Sequence, residues 1–383
     1  MNSKPWDVIV LGVGGMGSAT LYHLARRGQR VLGLEQFDLA HEMGSSHGLT
    51  RIIRLAYYED PAYVPLLRRS YELWRELERE SGERLLHICG SLDIGPPDNE
   101  VFAGSLQSCL EHDLEHEALT GAEINARWPA YRFPAETMGL YQPQGGFLLP
   151  EAGIRAFVQV ACEQGATLRT GQRVLNWQVN ADGLLQVSTE TETHLAQRLV
   201  ITAGAWAGKL LPRLGSVALP ERQVLAWMQP LDPPHFTPER FPVFNCLVDE
   251  GRYYGFPDFA GQGFKIGRYH HLEEAADPDT LDRDCVRDED RRILRDFAER
   301  YFPGGAGADL LHKVCMFTNT PDEHFIIDRH PEYEQVHFAA GFSGHGYKFA
   351  SVIGETLADL ALKDTTRHDI AFLRSDREMI PLG

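Results

Sequence analysis

Asp7-Val8-Ile9-Val10-Leu11, followed at once by Gly12-Val13-Gly14-Gly15-Met16-Gly17, sets the fold. The apolar run lacks polar alternation, as a parallel strand does when both its faces are covered. A helical stretch from Ser18 to Arg27 comes next, then a second apolar run, Val31-Leu32-Gly33-Leu34, ending at Glu35. Strand, glycine turn, helix and strand within about 30 residues make a βαβ unit. Gly12, Gly14 and Gly17 permit a tight turn, close approach of a pyrophosphate and close helix packing, and the helix N-terminus offers free N–H groups to phosphate oxygens. Glu35, 18 residues beyond Gly17, is placed to accept hydrogen bonds from a ribose diol and argues against a 2′-phosphate. The unit predicts dinucleotide binding.

Working outward, Leu199 to Ala207 reads as an apolar strand running into a small-residue turn. Val336 to Phe349 is another strand and glycine loop, leading into a helix through Ile353, Leu357 and Leu360. Gly44-Ser45-Ser46-His47-Gly48 is a loop of small and polar residues. Glycine turns spread over the whole chain suit a long, buried FAD. An NAD domain usually draws its contacts from one contiguous block.

The remaining segments have a different character. Residues 59–80 predict a helix with Tyr63, Leu66, Leu67, Tyr71, Leu73 and Trp74 as its apolar stripe. Short alternating runs within 221–270, such as Arg252-Tyr253-Tyr254-Gly255-Phe256-Pro257, predict antiparallel strands that cover a cofactor face. The charge-dense stretch from Asp277 to Arg300 keeps Ile293, Leu294, Phe297 and Tyr301 at helical spacing and predicts an amphipathic helix.

Composition narrows the function classes. A chain of 383 residues predicts two to three domains at about 150 residues each. Carboxylates outnumber Lys plus Arg by 54 to 37, for a formal net charge of −17, which argues against a nucleic-acid partner. An anionic substrate then needs a local cluster of cations. Only six lysines occur among the cations, so Lys265, between Phe264 and Ile266, and Lys348, beside a glycine loop, stand out. The six cysteines are scattered without a C-x-x-C pair, so neither a metal site nor a disulfide framework is expected. Met1-Asn2-Ser3 leads towards a strand rather than a signal sequence, and no run of 18 apolar residues occurs. A cytoplasmic protein without membrane contact is expected.

Beyond Gly12 to Gly17, six stretches carry a more specific likeness. They are His47-Gly48-Leu49-Thr50-Arg51-Ile52-Ile53-Arg54, Tyr253 to Pro257, Gly263-Phe264-Lys265-Ile266-Gly267, and Cys315 followed by Asp322-Glu323-His324-Phe325-Ile326-Ile327-Asp328 and by Gly341 to Phe349. With these the sequence resembles the monomeric sarcosine oxidase and N-methyltryptophan oxidase family, covalent-FAD amine oxidases of the D-amino-acid-oxidase-like superfamily. The resemblance implies an α+β fold: an α/β Rossmann-like FAD-binding domain from residues 1–85, 148–215 and 316–383, and an antiparallel-sheet substrate domain from 86–147 and 216–315. It implies a monomer acting on a small amino-acid substrate and O2.

Residue by residue, the resemblance makes Cys315 the thioether link to the flavin. On the residues alone Cys315 reads first as a buried free thiol, and the link asks nearby cations to lower its pKa. Lys265 matches the lysine that helps O2 accept an electron. Arg54 and Lys348 match the pair that holds the substrate carboxylate, and Tyr254 a tyrosine of the substrate cavity. Arg51 and Thr50 match positions near the flavin, and His345 a residue lining it. Ser45, Val174, Gly204, Gly344, Gly346 and Lys348 are further expected along the cofactor, with Gly12, Gly14, Gly17 and Glu35.

Some positions depart from the family pattern. Four residues after Lys265 the family has a histidine, and here Tyr269 stands there, with His270 and His271 following. Either a one-residue shift makes His270 the catalytic-site histidine, or the edge of the active site differs. Asn245 replaces an apolar pocket residue, Phe317 a tyrosine and Leu49 an aspartate. The reaction implied is oxidation of a secondary amino acid to an imine that hydrolyses, with O2 reduced to hydrogen peroxide. Two other readings stay open: a non-covalent FAD-dependent dehydrogenase or oxidase of D-amino acids, pipecolate or proline, and a non-catalytic dinucleotide-binding protein.

Overall fold

The computed structural model describes residues 4–377. The expected domain ends at 1–3 and 378–383 lie outside these residues.

Strand Trp6–Leu11 lies at the centre of an eight-stranded sheet, parallel to Val31–Leu34 on one side and to Thr193–Ile201 on the other. Its residues Val8 to Leu11 are almost fully buried, as an unalternating apolar run requires when both faces are covered. Thr193–Ile201 is long enough to serve two neighbours: its first half pairs with Leu185–Thr189 and its last three residues with Val336–Ala340. The crossover helix Gly15–Arg26 begins one residue after Gly14 and packs between helices Pro150–Glu163 and Ala350–Lys363. Its burial on nearly every side explains the small residues in Gly15-Met16-Gly17-Ser18-Ala19.

A second eight-stranded sheet is ordered Asp309–Asn319, Leu219–Met228, Phe264–Arg268, Gly251–Phe256, Val243–Val248, Ser91–Gly95, Met138–Gln142, Glu117–Thr120. It is antiparallel except between Val243–Val248 and Ser91–Gly95, which run parallel. Those two strands come from distant segments, so no tight hairpin forces them to run in opposite directions. Period-two alternation sorts the side chains. Tyr253, Phe244 and Phe264 pack under helix Asp288–Tyr301 with Phe297 and Phe302, whereas Tyr254, Phe256, Trp227 and Cys315 share the other face with Tyr269 and Phe317. A three-stranded sheet, Arg51–Ile53, Gly146–Leu148 and Leu86–Ile88, lies apart from both.

Four expectations change. The divisions at 147/148 and 315/316 fall inside strands Gly146–Leu148 and Asp309–Asn319. The helix expected over 59–80 begins at Val64, because Asp60 accepts the Ala62 N–H at 2.7 Å and caps a short turn at Pro61–Tyr63. Glu59 is thereby left outside the helix. The helix expected from Asp277 begins at Asp288 instead. Before it, Asp277 and Asp282 accept backbone N–H groups two residues on, a local bond that competes with helix. No helix among the described residues is long and apolar enough to cross a membrane.

Candidate active site

A cleft follows the C-terminal ends of the parallel strands, where an open α/β sheet binds its ligands. Its walls include Gly12, Gly14, Glu35, Ser45, Arg51, Val174, Gly204, Gly344 and Gly346, together with Phe317 and Thr318. A Cβ on Gly17 would fall 1.8 Å from the Gly12 carbonyl oxygen, so helix and turn meet at a distance only glycine allows. At Gly14 nothing stands within 4 Å of such an atom, leaving the backbone open to a ligand. Glu35 is fixed on the rim: one carboxylate oxygen accepts the Val13 N–H at 2.8 Å and the other the Phe37 N–H at 3.0 Å.

Lys265 projects from Phe264–Arg268 and is about 1% exposed. Its Nζ donates to the carbonyls of Gly48 and Thr50, each at 2.7 Å, and to Thr50 Oγ1 at 3.1 Å, which uses all three ammonium donors. The Phe256 ring centre lies 4.3 Å away and that of Trp227 5.4 Å. Burial, and then Arg51, pull the Lys265 pKa well below the ordinary lysine value. Arg51 spans the Thr50 and Ser45 carbonyls at 2.9 Å each. Cys315 is buried on the face that also carries Tyr254 and Phe317. Contrary to the expectation of a lowered pKa, burial pushes its thiol up, and Arg51 and Lys265 only partly oppose that.

Arg54 is as deeply buried as Lys265, about 1% exposed. Its Nη2 donates to Glu59 at 2.9 Å and Nε lies 3.4 Å from Asp93 Oδ1. Nη1 has no partner within hydrogen-bond distance. The guanidinium carbon rests 4.6 Å from the Tyr57 ring centre and 4.5 Å from that of Tyr58. Lys348 stands 5.1 Å from the same Tyr57 ring and donates to the His345 carbonyl at 2.7 Å. Burial and the neighbouring Arg54 lower the Lys348 ammonium to about 7. His345 contacts the Tyr57 hydroxyl through Nδ1 and lies 3.0 Å from the Glu323 carbonyl through Nε2. Burial pushes it down to about 4, so it is neutral.

The shift that would place His270 among these groups does not occur. Tyr269 turns towards the site, 5.0 Å from the Tyr254 ring centre and 5.6 Å from that of Phe317. His270 points elsewhere and is held between Glu221 and Glu323. His271 is buried against Asp290 at 3.0 Å, a structural contact. Tyr254 fits because Gly267 stands across from it: a Cβ there would lie 2.5 Å from the Tyr254 hydroxyl.

A family model described as FAD dependent oxidoreductase matches residues 7–360. The chain belongs to this family of FAD-dependent oxidoreductases. It is 44% identical over 375 residues to the monomeric sarcosine oxidase of Streptomyces avermitilis, with 96% of each chain covered. It is 35% identical to the N-methyl-L-tryptophan oxidase of Yersinia pestis, over 96% of this chain and 97% of that one. Among solved structures, NikD, described as an unusual amino acid oxidase essential for nikkomycin biosynthesis, matches with a TM-score of 0.83 at 26% identity, covering 97% of this chain and 98% of NikD.

FAD fits this oxidoreductase on its own geometry. The open backbone at Gly14 and the fixed Glu35 carboxylate suit the pyrophosphate and the ribose. Thr318 Oγ1 is buried in the cleft wall without a partner, which a polar ring edge would supply. Thr318 escaped the sequence reading, as did Glu59, Asp93 and Tyr58. Asp93 had a signal: a lone carboxylate in the apolar strand Ser91–Gly95. It is held by Ser105 Oγ at 2.6 Å and by Asn245 Nδ2 at 2.9 Å, which accounts for a polar residue at 245. Among the described residues, no His, Cys, Asp or Glu cluster could hold a metal ion.

Proposed function

We propose that this FAD-dependent amine oxidase acts on secondary amino acids of the N-methyl type. The bond between nitrogen and its methyl carbon is oxidised to an imine, water releases formaldehyde and the demethylated amino acid, and O2 takes the two electrons to become hydrogen peroxide. Sarcosine and N-methyltryptophan are the reference substrates, named from the relatives. The protein would work as a cytoplasmic monomer.

One observation carries the reading. Two buried cations, Arg54 and Lys348, flank one tyrosine ring, and Arg54 keeps a free, desolvated N–H edge. Glu59 and Asp93 already offset these charges, so it is the unpartnered, desolvated Nη1 of Arg54, beside Lys348, that calls for a further acceptor, and a carboxylate is a strong partner for a guanidinium. Tyr57, Tyr58 and Glu59 keep the guanidinium from rotating, so the carboxylate would arrive in one orientation and bring the amine with it.

FAD supplies the two-electron acceptor. Cys315 would hold it through a thioether, and the support for this is the position of the thiol beside Phe317 on the face that carries Tyr254 and Lys265. Arg51 and Lys265 would place positive charge near O2 as it gains an electron. The two sheets then divide the work, the parallel one carrying the dinucleotide and the second one walling the substrate.

Peroxide release with sarcosine, N-methyltryptophan, pipecolate and proline, measured on the flavin-loaded protein, tests the reading. Turnover of an N-methyl amino acid with matching formaldehyde supports it. Turnover confined to pipecolate or proline, or none with any of the four, would overturn it.

A further inference from the structure

The loop after strand Phe264–Arg268 and the loop after strand Asp309–Asn319 meet at one histidine. His270 Nε2 lies 2.7 Å from Glu323 Oε1, and its Nδ1 lies 3.1 Å from Glu221 Oε1 and 3.5 Å from Asn319 Nδ2. Glu323 also accepts from Arg252 Nη2 at 3.1 Å, and Arg252 has Glu100 3.9 Å away on its other side. These residues come from five separate segments.

Each end of the contact reaches the site. Tyr269 precedes His270, and the Arg252 guanidinium lies 4.2 Å from its ring centre. The Glu323 backbone carbonyl is the 3.0 Å partner of His345 in the cofactor loop. His270 and Glu323 both have positive φ, +49° and +58°, in the left-handed region that non-glycine residues avoid. Such strain persists only where surrounding contacts over-determine it. Here those contacts are the ion pairs themselves.

We propose that His270 is a positioning residue, a clasp that ties loop 269–273 to loop 320–324 and so holds Tyr269 against Tyr254 and the Glu323 carbonyl against His345. The proposal rests on the reading of Tyr269 and His345 as walls of the substrate and flavin site. It gives His270 a role without contact with substrate.

With a carboxylate at each nitrogen, only the imidazolium satisfies both; the neutral ring keeps one of the two bonds and turns a lone pair towards the other. The hydrogen bonds to Glu221 and Glu323 raise the imidazole to about 9, against some burial. The groups facing it are Glu221, Glu323 and Asn319, with Arg252 and Glu100 one contact further out. When the proton leaves, one carboxylate faces a lone pair, and the repulsion adds to the backbone strain.

Amide hydrogen exchange in peptides covering the two loops, alongside the rate of anaerobic flavin reduction by an N-methyl amino acid, tests the clasp. The flavin-loaded wild type, His270→Gln and His270→Arg are compared from about pH 7 to about pH 10. In the wild type, protection in both loops and the reduction rate should fall together near pH 9. His270→Arg, which keeps two donors and a permanent charge, should hold both through pH 10. His270→Gln should exchange about tenfold faster in both loops and reduce flavin several-fold more slowly at pH 7, and approach the wild type by about pH 10. A His270→Gln protein identical to wild type at pH 7, or an unchanged alkaline step in His270→Arg, overturns the proposal. If the wild type fails to reduce its flavin with N-methyl amino acids, the proposed substrate falls, and the exchange pattern alone decides the clasp.

Discussion

Arg54 and Lys348 share one aromatic ring: the guanidinium carbon lies 4.6 Å and the ammonium nitrogen 5.1 Å from the centre of Tyr57. Two cations this close in a dry site repel each other, and Glu59 and Asp93 offset the repulsion. Burial pushes the Glu59 carboxyl up, but Arg54 and Lys348 outweigh it and hold the carboxyl below its ordinary value.

Arg54→Ala should raise the half-saturating substrate concentration. A hydrogen bond to a charged group is worth about 1.5 to 3 kcal/mol, which corresponds to roughly tenfold to 150-fold weaker binding. The limiting rate of flavin reduction should change less. Steady-state kinetics with saturating O2 checks this.

Lys348 gives carboxylate binding a pH dependence. Its pKa is about 7 in the free protein, and a bound carboxylate favours the charged form and raises it. Binding therefore takes up a proton, and affinity falls as pH rises above about 7. Acetate, which has no amine, isolates the effect: its inhibition constant should rise with pH in the wild type and stay flat in Lys348→Met.

Lys265→Met should slow flavin reoxidation by O2 much more than flavin reduction by substrate. It also strips the Gly48 and Thr50 carbonyls of their buried donor, which should cost about 1 to 3 kcal/mol of stability. Stopped-flow measurement of each half-reaction, with a denaturant titration, separates the two effects. Equal slowing of both half-reactions would remove the O2 role.

Cys315→Ala should release the flavin on acid precipitation, leaving a colourless pellet, while the wild-type pellet stays yellow. Its small-to-smaller change in a tight cluster should cost about 1 kcal/mol at most. Peptide mass spectrometry on the wild type should find the flavin adduct on the Cys315 peptide.

The βαβ unit was legible because its signals are local: a strand without alternation, glycines at fixed spacing, and an acid ending the next strand. Lys265 and Lys348 stood out as lysines in apolar or glycine-rich settings, Arg54 only through the family resemblance, and all three are buried. Glu59 was not legible, because its freedom from the helix depends on the Asp60 cap. Asp93 and Arg54 come from different sheets and meet only through the packing of distant segments, which periodicity does not encode. His270 was misplaced because plain alternation through Lys265, Gly267 and Tyr269 keeps Tyr269 on the inward face and turns His270 away.

Anaerobic titration of the bound flavin with an N-methyl amino acid and with its methyl ester tests most directly whether the Arg54 and Lys348 pair presents a secondary amine to FAD. The acid should bleach the flavin at low concentration, and the ester, which lacks the anion, should need at least about tenfold more. Equal potency of acid and ester would contradict the account.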